Sequence, residues 1–164
     1  MIQIAEEAPT QCMDDIGPLL KRHWDEVALH KKERPLSPNF DEYKRLALGG
    51  RLVVVTARDT EFQNALVGYS VFFIHNHIHY STCKVASNDV LFVDKDYRSR
   101  PGVSIRLIRT CETVLANRGV DYVTWHIKPR QDWSQVLERM GYELEEKIMG
   151  RILSREATGD RHGI

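Results

Sequence analysis

Excess charge of either sign is missing: lysine plus arginine number 23 and aspartate plus glutamate also 23 in 164 residues. Such a balance gives no global field toward nucleic acid or an anionic membrane, so neither is an expected partner and any anionic ligand must be held locally. Cysteine is scarce as well, with only Cys12, Cys83 and Cys111. An odd count without metal-type pair spacing argues against a disulfide framework and makes a reducing cytoplasm the expected setting. The longest apolar runs, around LVVV and VFFI, fall far short of the roughly 20 residues of a membrane span. The opening MIQIAEEAPT lacks the basic-then-apolar layout of a signal peptide. No repeat, low-complexity tract or linker interrupts the chain, which reads as one domain over 1–154 with a loose tail over 155–164.

What is present is a mixture of helical and strand periodicity. MIQI is strand-like, and from Thr10 to His30 the residues Ile16, Leu19, Leu20, His23, Trp24 and Val27 recur at helical spacing. KKERPLSPNF reads as a loop, followed by a shorter helix through DEYKRLAL capped by Asn39 or Asp41 and stopped by Gly49 and Gly50. RLVVVTA and ALVGYSVFFI predict an antiparallel pair. HNHIHYSTCKVASND is polar and aperiodic, and VLFV suits a strand covered on both faces. Val103, Leu107, Ile108, Cys111, Val114 and Leu115 form one helical face, which makes Cys111 a core residue. VDYVTWHI is a strand, DWSQVLERM a helix with Asp132 at its cap, and GYELEEKIMGRILS one or two closing strands. VLFV, helix and VDYVTWHI make a right-handed crossover that joins two parallel strands. The fold class is therefore α/β, with a mixed sheet flanked by helices.

The loop before that crossover helix, YRSRPGVS, concentrates arginine in a chain without net charge. A helix N-terminus carries unpartnered N–H groups and roughly half a positive charge. Phosphate oxygens fit there, with Gly102 admitting the backbone and Arg98 or Arg100 adding charge. An ordinary solvated loop is the alternative.

Element order and loop together resemble the GNAT superfamily of N-acetyltransferases. Its phosphate-binding signature is Arg or Gln, two residues, Gly, one residue, then Gly or Ala. Gly102, Val103 and Ser104, followed by Leu107, match its second half. Ser99 stands where Arg or Gln is expected, Arg98 lies one position upstream, and Pro101 has no N–H to offer. VLFVDKDYR and DWSQVLERMGYELEE also look similar to the family, and LLKRHWDEV and IHNHIHY to its phage-encoded members.

The resemblance implies a GNAT-like acyl-CoA N-acyltransferase fold in which acetyl-CoA, as co-substrate, lies between two splayed parallel strands. Leu91, Phe92 and Val93 would pair with pantetheine through their backbone, and residues 98 to 104 would hold the pyrophosphate. Acetyl would pass directly to a primary amine on a small molecule or a protein. Asp89, before an otherwise apolar run, is the candidate base; its alternative role is to cap the SND turn. The family's tyrosine general acid maps to Leu137, counted back from Tyr142, so that role is vacant or falls to solvent, Tyr142 or Tyr97. The setting would be cytoplasmic, the host's if the chain is phage-encoded.

His75, His77 and His79 alternate and would share a face in an extended strand. They suggest half a metal site, the lining of an acceptor pocket, or plain exposed polarity. His79 is taken as substrate-binding and no metal is expected. His23, Glu26 and His30 read as the edge of a packed helix face. Trp125 and His126 point opposite ways, one of them into the cofactor cleft. A non-catalytic CoA-binding or assembly module with the same fold is the competing function, and a homodimer is as compatible with the sequence as a monomer.

Overall fold

The structure is a computed structural model that describes residues 1–153; the tail expected over 155–164 lies outside the described residues. The chain divides into two compact units, Met1–Asp132 and a smaller one that begins at Trp133. The first holds β1 (Ile2–Glu6), α1 (Pro9–Val27), α2 (Phe40–Leu48), β2 (Leu52–Asp59), β3 (Ala65–Asn76), β4 (Lys84–Val93), a short α3 (Lys95–Arg98), α4 (Val103–Asn117) and β5 (Tyr122–Thr124). Its described strands form one sheet in the order β1-β2-β3-β4-β5, antiparallel except for the parallel pair β4 and β5.

Local chemistry sets the helix ends. Pro9 opens α1, where its missing N–H costs nothing, and the Gln11 side chain accepts the Ala8 N–H. Asn39 caps α2 by accepting the Glu42 N–H at 3.0 Å, one of the two expected caps. Gly102 enters α4 at φ 77°, a left-handed conformation that a side chain would strain.

Alternation along the strands then sorts the core onto two faces. Leu52, Val54, Tyr69, Val71, Val90 and Phe92 pack under Cys12, Met13, Ile16 and Leu19 of α1, with Phe40, Tyr43 and Leu46 of α2 at the margin. Val53, Val55, Ala57, Phe72, Ile74 and Ala86 pack against Val103, Leu107, Cys111 and Leu115 of α4.

Three expectations need correction. KVASND belongs to β4, not to an irregular loop: its main chain pairs with β3 from Phe72 to Asn76, and that ladder stabilises a polar segment that lacks apolar alternation. Helix α5 (Ser134–Arg139), in the second unit, has Trp133 and not Asp132 at its cap position. No strand occurs between Gly141 and Leu153 among the described residues, so the closing strands read from GYELEEKIMGRILS are not formed there. Leu144, Ile148, Met149 and Leu153 in that stretch are exposed, and a segment with no paired strand beside it is not stable as a strand on its own.

Gly68 is a close-approach position. A Cβ there would lie 3.0 Å from the Phe92 carbonyl oxygen and 3.2 Å from Val93 Cγ2. Gly68→Ala is therefore expected to push β3 and β4 apart where β4 ends and to cost about 1–3 kcal/mol, read as a lower chemical-denaturation midpoint. An unchanged midpoint would mean that the sheet yields freely there.

Candidate active site

β4 and β5 pair over three positions only: Val85 with Tyr122, Ala86 with Val123 and Ser87 with Thr124. β4 continues to Val93 while β5 stops at Thr124, so β4 from Asn88 onward has an open edge among the described residues. The expected splay is present. The Asp94 N–H donates to the Val67 carbonyl and the Ser70 hydroxyl to the Val90 carbonyl, both on the β3 side. By alternation, the main-chain groups of Leu91 and Val93 face the open edge. Phe92 does not: its carbonyl lies against Gly68 on the β3 side, and only its ring faces the site.

A bulge places Asp89. Val71 pairs with Val90 and Phe72 with Asn88, which leaves Asp89 as the extra residue. Asn88 turns toward the α4 face, where its amide donates to Ser70 Oγ at 3.0 Å and to the Val71 and Val90 carbonyls. Asp89 instead joins Val90 on the α1 and α2 side, inside the strand rather than at its entry. The Tyr43 hydroxyl of α2 donates to Asp89 Oδ2 at 3.5 Å. Although Asp89 reaches solvent, the atoms around its carboxyl strip enough water to raise its pKa above the ordinary carboxylate value. Tyr43, His126 and Lys128 oppose that rise.

The walls of this region come from four elements. His23 of α1 lies 5.3 Å from the Phe92 ring, centroid to centroid, and burial lowers its pKa to about 4, so it is neutral at physiological pH. Tyr43 and Tyr69 contribute from α2 and β3, and desolvation raises the Tyr43 pKa to about 12. Of the pair after β5, Trp125 packs edge-on to Phe72 at 5.0 Å and His126 is the residue that acts on Asp89. Glu26 ties the far ends together: its Oε2 accepts from Arg98 Nη2 at 2.6 Å and from Gln131 Nε2 at 3.0 Å. Tyr43, Tyr69, His23 and Lys128 were not legible as site residues, because nothing local marks a helix or strand position as lying above a bulge twenty or more residues away.

The loop before α4 has the expected backbone and busy arginines. Gly102 frees the chain to turn, and Val103 and Ser104 begin a helix whose first N–H groups have no intrahelical acceptor. Arg98 Nε donates to the Val93 carbonyl at 2.6 Å, and its guanidinium lies 5.2 Å from the Phe92 ring centroid. Arg100 pairs with Asp59 at 3.2 Å and stacks 4.0 Å from the Tyr97 ring. The Tyr97 hydroxyl also donates to Asp59, at 3.1 Å. Asp59 thereby fastens this loop to β2.

The three histidines do not share a strand face. β3 ends at Asn76, and His79 stands exposed in the following turn, its N–H on the His77 ring at 3.1 Å. Among the described residues no group of three or more His, Cys, Asp or Glu is arranged to hold a metal ion. Among the described residues no helix is long and apolar enough to cross a membrane. A separate polar recess of about 490 Å³ includes Glu7, Asp15, Thr56 and Arg58, but Arg58 already pairs there with Glu7 at 2.6 Å and Asp15 at 2.8 Å.

No family model and no curated protein matches the chain. Solved structures do. A ribosomal-protein-alanine N-acetyltransferase from Brucella melitensis biovar Abortus 2308 superimposes with a TM-score of 0.68 at 15% identity, over 94% of this chain and 100% of that one. An aminoglycoside acetyltransferase from an uncultured soil metagenomic sample, in complex with sisomicin, gives 0.70 at 16%, over 94% and 97%. A glucosamine-6-phosphate N-acetyltransferase from Arabidopsis thaliana gives 0.69 at 11%, over 94% and 99%. With its five-stranded mixed sheet, flanking helices and parallel pair that parts after three residues, the chain has the fold of the GNAT acetyltransferases.

Proposed function

We propose that the protein is an N-acetyltransferase that moves acetyl from acetyl-CoA to a primary amine by direct attack. The observation that carries this reading is the open edge of β4 with a carboxylate on the bulge beside it, in contact with the Tyr43 hydroxyl. The main-chain groups of Leu91 can pair with the amides of pantetheine, while the Val93 carbonyl is held by Arg98, and the start of α4 can receive the pyrophosphate at Gly102, Val103 and Ser104. Both fit what the residues present. The acceptors named for the similar structures, an aminoglycoside among them, bear amines, which favours the same acceptor class here, small or protein-borne.

A lysine-like amine has a pKa of about 10.4, so its nucleophilic form costs roughly 4–5 kcal/mol to populate at pH 7. Asp89 takes one proton from the ammonium. The freed nitrogen bonds to the thioester carbonyl carbon, the C–S bond breaks, and a second nitrogen proton ends on the sulfur. The Val93 N–H, at the open edge, stabilises the developing oxyanion. His79, on its exposed turn, would touch the acceptor rather than the reacting atoms. The reading extends to a single domain with a cytoplasmic setting.

The test is a thermal-shift titration with acetyl-CoA followed by thiol release over a panel of amines. Stabilisation by acetyl-CoA together with amine-dependent thiol release supports the enzyme. Stabilisation without release makes the chain a CoA-binding module. Paired replacement of Arg98 and Arg100 by alanine is expected to weaken acetyl-CoA three- to tenfold, more at low salt, since both guanidinium groups are half-exposed and can turn from Glu26 and Asp59 toward phosphate. Equal affinity in the double variant would leave the phosphates to main-chain N–H groups alone.

A further inference from the structure

The Tyr69 hydroxyl is buried and has no hydrogen-bond partner among the described residues. Tyr69 is 1% exposed. A phenylalanine would fill the same space without burying an unsatisfied donor, so the hydroxyl is a local burden on the fold. It shares the α1 and α2 side of the sheet with Asp89, and Tyr43 packs against the cluster that contains it. The Tyr43 contact with Asp89, at 3.5 Å, is at the limit of a hydrogen bond and leaves slack for a small closing movement.

We propose that Tyr69 is a positioning residue for Asp89, acting through Tyr43: when the carboxylate is ionised, Tyr69 donates to the Tyr43 oxygen while Tyr43 donates to Asp89. Tyr43 has one proton to give and lone pairs to receive, so the chain Tyr69 to Tyr43 to Asp89 uses each hydroxyl once in the same direction. It converts an orphaned donor into one that fixes and polarises the base. The groups acting on this chain are Asp89 itself, His126 and Lys128 after β5, and the two tyrosines from α2 and β3. His23 of α1 faces the neighbouring Phe92 ring. The meaning of the chain for catalysis rests on the acetyltransferase reading, but its existence does not.

Carbon-13 carboxyl titration of Asp89 in the free protein tests it. A chain that favours the ionised carboxylate holds its midpoint down, so Tyr69→Phe is expected to raise that midpoint by about half a pH unit. Tyr43→Phe should raise it at least as far, and Tyr43→Phe with Tyr69→Phe no further than Tyr43→Phe alone, since Tyr69 acts only through Tyr43. At a pH below the Asp89 midpoint, where the chain is not made, the melting temperature of Tyr69→Phe should not fall. An unchanged midpoint in Tyr69→Phe, or shifts that add in the double variant, would overturn the inference. A lower melting temperature with an unchanged midpoint would reveal a packing role instead. Because the titration needs no substrate, a wild-type protein inactive toward amines would defeat the proposed function and leave this result to stand or fall separately.

Discussion

Asp89→Asn is expected to lower amine-dependent turnover about 100-fold or more, the range a positioned base contributes, with the affinity for acetyl-CoA nearly unchanged. The asparagine amide keeps the size of the side chain and its contact with Tyr43 but cannot take the proton. The pH profile should change with it. Desolvation raises the Asp89 pKa, so the acidic limb of the wild-type profile should lie above the ordinary carboxylate range and disappear in the variant. Stability should move the other way. For a carboxyl whose folded pKa exceeds its unfolded value, the contribution to stability is largest below the unfolded pKa and is lost as pH rises through the folded one. At neutral pH the ionised Asp89 is thus a net cost, and Asp89→Asn should melt no lower than the wild type. Unchanged turnover would place the base elsewhere, and a large drop in melting temperature would mark Asp89 as structural.

Leu107→Ala carries the largest expected effect on stability. Leu107 is fully buried on the face where α4 meets the sheet, beside Val103 and Cys111. Deleting its three outer carbons removes transfer energy and leaves a cavity, together about 3 kcal/mol. For a chain of this size that corresponds to a melting temperature roughly 6–12 °C lower, read by calorimetry. Leu107 sits just over one turn from the start of α4, so, on the proposed reading that the first N–H groups of α4 receive the phosphates, a loosened helix should also weaken acetyl-CoA. A shift of only a degree or two would mean that the site collapses around the smaller side chain.

Asp89 was visible in the sequence as a carboxylate in front of an apolar run, and Gly102 as a glycine at a helix entry. The partners of Asp89 were hidden, because Tyr43 lies 46 residues upstream and His126 follows β5, and they come near Asp89 only once α2 packs over the bulge. Arg98 and Arg100 show the same limit from the other side: their density suggested phosphate, but Glu26 and Asp59, remote in sequence, hold both in the folded chain. The histidine alternation around His79 failed because period two has meaning only inside a strand, and β3 ends before it.

The order of the main helices and strands as far as α5, the two caps that begin and end α2, and the parallel crossover were written locally, in residue spacing and in the backbone freedom of single glycines and prolines; the closing strands were not. Where the parallel pair stops, which strand position bulges, and which charges neutralise one another were set by tertiary packing. Those features depend on strand register and on contacts between segments far apart in the chain, and no local window of residues contains both partners.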